Sequence, residues 1–321
     1  MTAQFVADVG GTNIRLATVV NGEITDILKM LCNEHPTIEA AIKYYFSLHP
    51  EKNFTSGCIG IACPVNQDQV TMTNHSWAFS KKALQETLSL EHLSVINDFT
   101  AVAYSLPLLK GEQLLQVGEG QPIEGANIAV LGPGTGLGVE HLTAVESGWK
   151  TLDGEGGHVD FAPTNEDEID VWRYVSARKG RTSTEDVLSG QGLTNIYNAL
   201  NEKASLGLQK RSPAQITTAA LDGSCDTCLK TLSIFCRVMG AFAGNIAANL
   251  ATHGGVFIGG GIASRFTDFI QKSEFRTCFE AKGCVAEYIR HIPTYIILEP
   301  DHGLIGAYAF LNQQLASVDN E

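Results

Sequence analysis

Basic residues are few and scattered. There are 22 Lys and Arg against 35 Asp and Glu, a formal net charge of −13 over 321 residues. No basic patch is present to neutralise a phosphate backbone, so no nucleic-acid partner is expected, and the acidity reads as solubility. Cysteine is also sparse: eight thiols in a chain of this length do not make a disulfide scaffold. The lone C-x-x-C, Cys225 with Cys228, lacks the second pair or His-x₃₋₅-His that a four-ligand zinc site needs. A redox role for the pair stays open, although no thioredoxin-like strand precedes it, and reduced thiols in a cytoplasmic protein are the expectation. The opening MTAQFVADVGG has neither a basic n-region nor a cleavage site, so no leader is expected. Apolar runs are short or interrupted. The most membrane-like, AFAGNIAANLATHGGVFIGGGIA, carries Asn245, Asn249 and His253 and breaks at Gly254-Gly255. It predicts a buried helix turning into a buried strand, with no membrane partner. Gly-Lys-Ser/Thr occurs nowhere, which excludes a Walker A loop.

What is there alternates between strand and helix. FVADVGGTNIRLATVV reads as strand, small-residue turn, strand, and IEGANIAVLGPGTGLGVEHLTAV repeats that scheme. GCIGIACPV reads as a short buried strand, and LSVINDFTAVAYSL begins as a strand and becomes a helix at Asn97-Asp98. Helices are expected over TIEAAIKYYFSLH, with Ile38, Ala41, Ile42, Tyr45 and Phe46 on one face, and over SKKALQETLSL, capped by Ser80. NEDEIDVWRYVSAR has Asn165 and Glu168 at capping-box spacing, with Ile169, Trp172 and Val175 sharing a face. SPAQITTAALDG offers Ser212 as cap, Pro213 at the first position and Gly223 as a stop. The long helix from Asp226 would carry Leu229, Leu232, Cys236, Met239, Ala243, Ile246 and Leu250 on one stripe and end at Gly254-Gly255, and a final helix follows Pro300. The alternation argues for an α/β fold, and the duplicated scheme for two related lobes.

The turns carry the first candidate chemistry. Glycine lets a backbone approach phosphate oxygens and expose its amides to them. GPGTGLG satisfies a dinucleotide-type pattern only superficially, because a strand rather than a helix follows it. A lone glycine turn is most often just a hairpin. Two of them, each with Thr beside Gly, can close on one polyphosphate from opposite lobes: Gly11-Thr12-Asn13 and Gly134-Thr135-Gly136. Asp8, at a strand end, either caps its turn or sits near Mg²⁺, which takes one or two carboxylates plus phosphate oxygens and waters. Asp98 opens a helix at the carboxyl end of a strand, where open α/β sheets bind ligands; capping alone explains one polar residue but not Asn97 beside it. Glu155 and His158 share a glycine-rich loop and supply an acceptor and a switchable donor. Their Glu-x-x-His spacing, repeated at Glu299 and His302, does not make a dimetal site, because Gly156-Gly157 and Pro300 break the helices such sites need. Glu185 reads as lying just inside a helix start, where it would complement the dipole.

Together these stretches resemble the bacterial glucokinase family, within the hexokinase–actin-like ATPase superfamily, over the whole chain. DVGGTNIRLA and GPGTGLGV are similar to its two phosphate motifs and GGVFIGGGI to its adenosine motif. MTNHSWAFS, INDFTAVA, GEGGHVDF and EDVLSG resemble its sugar-site segments. The resemblance implies an α/β, two-lobed actin-like/ribonuclease H-like ATPase fold with a cleft between a small α/β domain (residues 1–110 plus 301–321) and a larger α+β domain (111–300). It implies ATP-dependent phosphorylation of glucose at the 6-hydroxyl by a homodimeric, cytoplasmic enzyme of glycolysis. Asn97, Asp98, Glu155, His158 and Glu185 would contact the hexose, with Asp98 as catalytic base. Gly10, Gly11, Thr12 and Asn13, and Gly134, Thr135 and Gly136, would bind ATP phosphates, with Asp8 meeting Mg²⁺ through water. The alternatives are a kinase of fructose, mannose or an amino sugar, and a non-catalytic sugar sensor, which would have little need to keep Asp98. The repressor–kinase relatives carry a zinc-binding Cys cluster shortly after the matching His. Here the first Cys after His158 is Cys225, so no zinc is expected. The chain also starts directly at the phosphate strand, which disfavours a helix-turn-helix repressor.

Overall fold

The computed structural model describes residues 2–318. In chain order the elements are β1 (Thr2–Val9), β2 (Asn13–Val20), β3 (Glu23–Leu31), α1 (Ile38–Ser47), β4 (Asn53–Ile61), β5 (Gln69–Thr71), β6 (Ala78–Ser80), α2 (Lys81–Thr87), β7 (His92–Asn97) and α3 (Asp98–Ser105). Then come β8 (Leu114–Gln116), β9 (Ile128–Pro133), β10 (Leu137–Val145), β11 (Gly148–Thr151), α4 (Glu166–Lys179), α5 (Gly190–Lys203), α6 (Pro213–Leu221) and α7 (Asp226–Leu250). The chain closes with β12 (Gly255–Ile258), α8 (Thr267–Lys272), α9 (Phe275–Glu280), α10 (Ala286–Arg290), β13 (Thr294–Ile297) and α11 (His302–Val318). Two compact units result. One runs up to Leu109 and includes Val145–Thr151 and the chain from Glu299; the other comprises Lys110–Ala144 and Leu152–Leu298.

In the first unit the strands order as β3-β2-β1-β4-β7. β1 pairs antiparallel with β2 and parallel with β4, which pairs parallel with β7. Strand periodicity sends Phe5, Ala7 and Val9 of β1 into a core with Ile38, Ile42 and Tyr45 of α1. Val6 faces the opposite core, with Ala101 of α3 and Leu304, Ala307 and Leu311 of α11. Asp8 therefore points to the α3–α11 side. Those two helices meet without side-chain spacing: a Cβ on Gly306 would lie 1.6 Å from the Ala101 carbonyl oxygen. Gly306→Ala must push α11 off α3, and overpacking of this kind costs about 1–3 kcal/mol or more. Urea unfolding should show a lower midpoint and an unfolding free energy reduced by about that amount. The tip at Val145–Thr151 is held to α11 by Gln313, whose side-chain amide accepts from Trp149 N (3.0 Å) and donates to Trp149 O (2.7 Å).

The second unit repeats the plan. Its strands order as β10-β9-β12-β13-β8, with β9 antiparallel to β10 and parallel to β12, and β12 parallel to β13. The run β10-β9-β12-β13 matches β2-β1-β4-β7 of the first unit, so the duplicated strand–turn–strand scheme marks a duplicated sheet. Helix α7 packs Leu232, Cys236, Met239, Ala243 and Ile246 into this core. It is long and apolar enough to cross a membrane by length and composition, and 72% of its most apolar 18-residue window is buried in the fold. Four local readings need correction. Leu229 lies off the buried stripe at 40% exposure, and α7 ends at Ala251, in left-handed conformation, before the glycine pair. In α4 the buried face is Glu168, Val171 and Val175, while Trp172 faces out. Asn165 does accept from Glu168 N (3.2 Å), but the Glu168 carboxylate turns to Thr164 N (2.7 Å) and Thr164 Oγ1 (2.8 Å), so the capping box is not closed. An acidic side chain three residues into a helix closes the box only when no better donor is within reach.

Candidate active site

The first unit gathers its candidate residues at the carboxyl end of its parallel strands. Across β1, β4 and β7 the register aligns Val9 with Ile61 and Ile61 with Asn97. The β1–β2 turn closes by a Gly10 N to Asn13 O hydrogen bond of 2.9 Å and is pinned by Cys32 N donating to Thr12 O (2.9 Å). Thr12 stands exposed at its tip. A Cβ on Gly11 would meet Asn74 Cβ at 3.1 Å, so the glycine admits the Asn74 segment to the turn. Asn97 caps α3 by accepting from Phe99 N (2.9 Å) and donates from Nδ2 to Cys63 O (3.4 Å). Asp98, the first residue of α3, accepts from Phe99 N at 3.0 Å.

These surroundings set the acid–base character of the two carboxyls. Burial, reinforced by the Asp8 charge, pushes Asp98 up to about 6, against hydrogen bonds from the Phe99 and Asp98 amides and from Asn97. Burial also raises Asp8, while Arg15 and His302 pull it down and Asp301 opposes them. A half-buried carboxyl poised near neutrality, with a second one near it, is the signature of a general base rather than of a simple cap. If Asp98 must be ionised to act, kcat/KM falls about tenfold per pH unit below about 6 and is level just above it. A pH–rate profile on wild-type protein measures this directly.

Several residues around Asp8 escaped the sequence reading. Arg15 stands opposite Asp8 in the β1–β2 register, and its Nη1 donates to Pro300 O (2.5 Å) and Asp301 Oδ1 (3.3 Å). The amino end of α11 also comes to Asp8: a Cβ on Gly303 would lie 3.1 Å from Asp8 Cγ. Helix N-termini favour anions, so the amino end of α11 and the Arg15 charge both favour the ionised form of Asp8. A signal for Arg15 was present, as one charged residue inside the otherwise apolar NIRLATVV. Nothing local linked it to residues nearly three hundred positions away.

The second unit gathers the rest. Gly134 N donates to Gly136 O (2.8 Å), the counterpart of the Gly10–Asn13 closure, and Thr135 is exposed at the tip like Thr12. The amino end of α5 abuts this turn, with Gly190 N donating to Gly134 O at 2.9 Å. The glycine run after β12 lies against it as well. Gly259 N donates to Leu131 O (2.8 Å), and Gly260, at φ +81°, would place a Cβ 2.6 Å from Pro133 O. Backbone amides at glycine turns and helix starts suit phosphate.

Beside the turn, His158 lies between two acids: Nδ1 is 3.9 Å from Glu155 Oε2 and Nε2 is 3.9 Å from Glu185 Oε1. Glu155 is exposed, with its side chain 86% accessible, while Glu185 is 32% accessible. Backbone bonds Thr184 N to Val159 O (2.8 Å) and Glu185 N to Gly157 O (2.9 Å) zip the two segments together. Gly157 is required there, since a Cβ would lie 2.1 Å from Leu137 O. Glu185 is not inside a helix start. It sits in a turn built by Ser183 and Asp186, and α5 begins only at Gly190, capped by Ser189. Its fixed partner is an amide of the phosphate-type turn: Leu137 N donates to Glu185 Oε2 at 2.8 Å. Gly136 makes room for that carboxylate.

Two sheets of one topology, each opening on a Gly-Thr turn, define a phosphoryl-transfer enzyme of the actin-like ATPase class, mixed α/β. The family model described as Glucokinase matches residues 5–314. The chain belongs to the glucokinase family. It is 47% identical over 315 residues to a glucokinase of Escherichia coli O139:H28, covering 98% of each chain. The crystal structure of a glucokinase from an Antarctic psychrotroph superposes at a TM-score of 0.91, with 32% identity over 97% of this chain and 98% of that one. A ROK family glucokinase from Streptomyces griseus, solved with glucose and AMPPNP, superposes at 0.65, with 20% identity over 97% and 99%.

Proposed function

We propose that this protein transfers the γ-phosphoryl group of ATP to the 6-hydroxyl of glucose, giving glucose 6-phosphate and ADP. The observation that carries this reading is Asp98: a half-buried carboxyl at a strand–helix junction, pushed up to about 6 by its surroundings, in a chain of the glucokinase family. Asp98 orients the sugar hydroxyl and accepts its proton as the new P–O bond forms. Asn97, Glu155, His158 and Glu185 pair with the ring hydroxyls. Gly10, Gly11, Thr12 and Asn13, together with Gly134, Thr135 and Gly136, offer amides and hydroxyls to the phosphates of ATP, where stabilisation of the transferring group is usually the larger effect. Asp8 would help hold the magnesium ion of the nucleotide, which would neutralise charge on the phosphates. That fits a single carboxyl lying beside the Arg15 charge and the amino end of α11. Zinc plays no part in this reading. The same reading places a homodimer in the cytoplasm, at the entry of glucose into glycolysis.

A coupled assay of ADP release over glucose, fructose, mannose and amino sugars tests it. Glucose should give the highest kcat/KM, because an epimer that leaves one buried partner unpaired loses about 1–3 kcal/mol. A higher value for another hexose would move the assignment to that sugar, and no ADP release with any hexose would favour a sensor.

A further inference from the structure

The C-x-x-C pair takes no part in the kinase chemistry, yet its setting is specific. Cys225 is the N-cap of α7, and its Sγ accepts from Cys228 N at 3.4 Å. The two thiols therefore sit one turn apart on one helix face, at a separation a disulfide can span. Their exposures differ in the way an attacking and a resolving thiol need: Cys225 is partly exposed, and Cys228 is fully buried beneath it. Arg211 acts on both sulfurs, and Tyr197 borders them, its hydroxyl donating to Gln209 O (3.2 Å).

We propose that Cys225 and Cys228 form a reversible thiol–disulfide exchange site for low-molecular-weight disulfides of the glutathione class. The Cys225 thiolate attacks one sulfur of the disulfide, forming a mixed S–S bond and expelling one thiolate. Cys228 then gives up its proton and attacks Cys225 Sγ, closing the Cys225–Cys228 bond and expelling the second thiolate. The protein loses two electrons and two protons, and the small disulfide gains both as two thiols.

The electrostatics agree with this division of labour. Burial raises the Cys225 thiol, but hydrogen bonds from Cys228 and the Arg211 charge bring it below the usual range. Burial and the Cys225 charge hold Cys228 up to about 12. A lowered thiol exposed at a helix N-terminus is the kind that attacks disulfides. Intracellular disulfides of this kind are transient rather than structural. Exposure alone would favour Cys284, the exposed cysteine of the chain.

The full chain, equilibrated in buffers of oxidised and reduced glutathione and then alkylated, is read by peptide mass spectrometry. The expected result is loss of two hydrogens confined to the peptide holding Cys225 and Cys228, reversed by dithiothreitol. In Cys228→Ser the reaction stops with glutathione on Cys225, and in Cys225→Ser the internal disulfide is abolished, while Cys284 carries at most a mixed disulfide. Absence of the Cys225–Cys228 disulfide in the wild-type chain, or glutathione on Cys284 with none passing through Cys225, overturns the proposal. Neither result bears on the kinase reading.

Discussion

Asp98→Asn is expected to lower kcat by about 10²–10⁴-fold, the range a positioned general base supplies, with glucose affinity little changed. Asparagine keeps the oxygen that accepts from Phe99 N, so the start of α3 and the Asn97 cap stay in place. What it removes is the proton acceptor. The same substitution should stabilise the fold at pH 8. The folded value of about 6 lies above the ordinary carboxylate range, so the fold favours protonated Asp98. Ionisation therefore costs stability as pH rises from about 4, the unfolded value, to 6, and the cost is complete above that. Asparagine carries no charge to bury, so its unfolding free energy at pH 8 should exceed that of wild type by about 1–3 kcal/mol, with the gap closing below pH 4. Lower activity with higher stability distinguishes a strained functional group from a structural one.

Glu185→Gln should act on the sugar rather than on turnover. The amide can still accept from Leu137 N, so the contact to the turn survives. Lost are the negative charge beside His158 and its strength as an acceptor for a ring hydroxyl. Hydrogen bonds to charged groups contribute about 1.5–3 kcal/mol, so KM for glucose should rise roughly 10- to 100-fold while kcat falls much less. Steady-state kinetics with varied glucose at saturating ATP separates the two. A fall in kcat with unchanged KM would assign Glu185 to the transition state instead.

Much of the architecture was legible because its signals are local. Alternation within FVADVGGTNIRLATVV sets β1, turn and β2, and the echo in IAVLGPGTGLGVEHL sets β9, turn and β10. Ser80, Ser212 and Pro213 mark helix starts that the structure uses, because a cap needs only its own next turn. Readings failed where another partner, near or far in the chain, outcompeted the expected one. Glu168 leaves its capping box for Thr164. Glu185, read from its neighbours as a helix-start acid, is drawn into a turn by Ser183 and Asp186 and bonded to Leu137 across the sheet. The surroundings of Asp8, with Arg15 opposite it in the register and Asp301 and Gly303 near it, span nearly the whole chain, and no spacing rule reaches that far. The candidate residues themselves were visible as types. The resemblance implied Asp98 as the base, but the upward shift of its carboxyl was not legible, because it depends on burial and on Asp8, which only the folded sheet brings near.

The most direct measurement mixes the purified chain with glucose and ATP and quantifies ADP and sugar phosphate together, in wild type and in Asp98→Asn. The account predicts equal amounts of ADP and glucose 6-phosphate from wild type, and a rate lower by about two orders of magnitude or more from a variant that still binds glucose. ADP without glucose 6-phosphate, or near-normal turnover in Asp98→Asn, would contradict it.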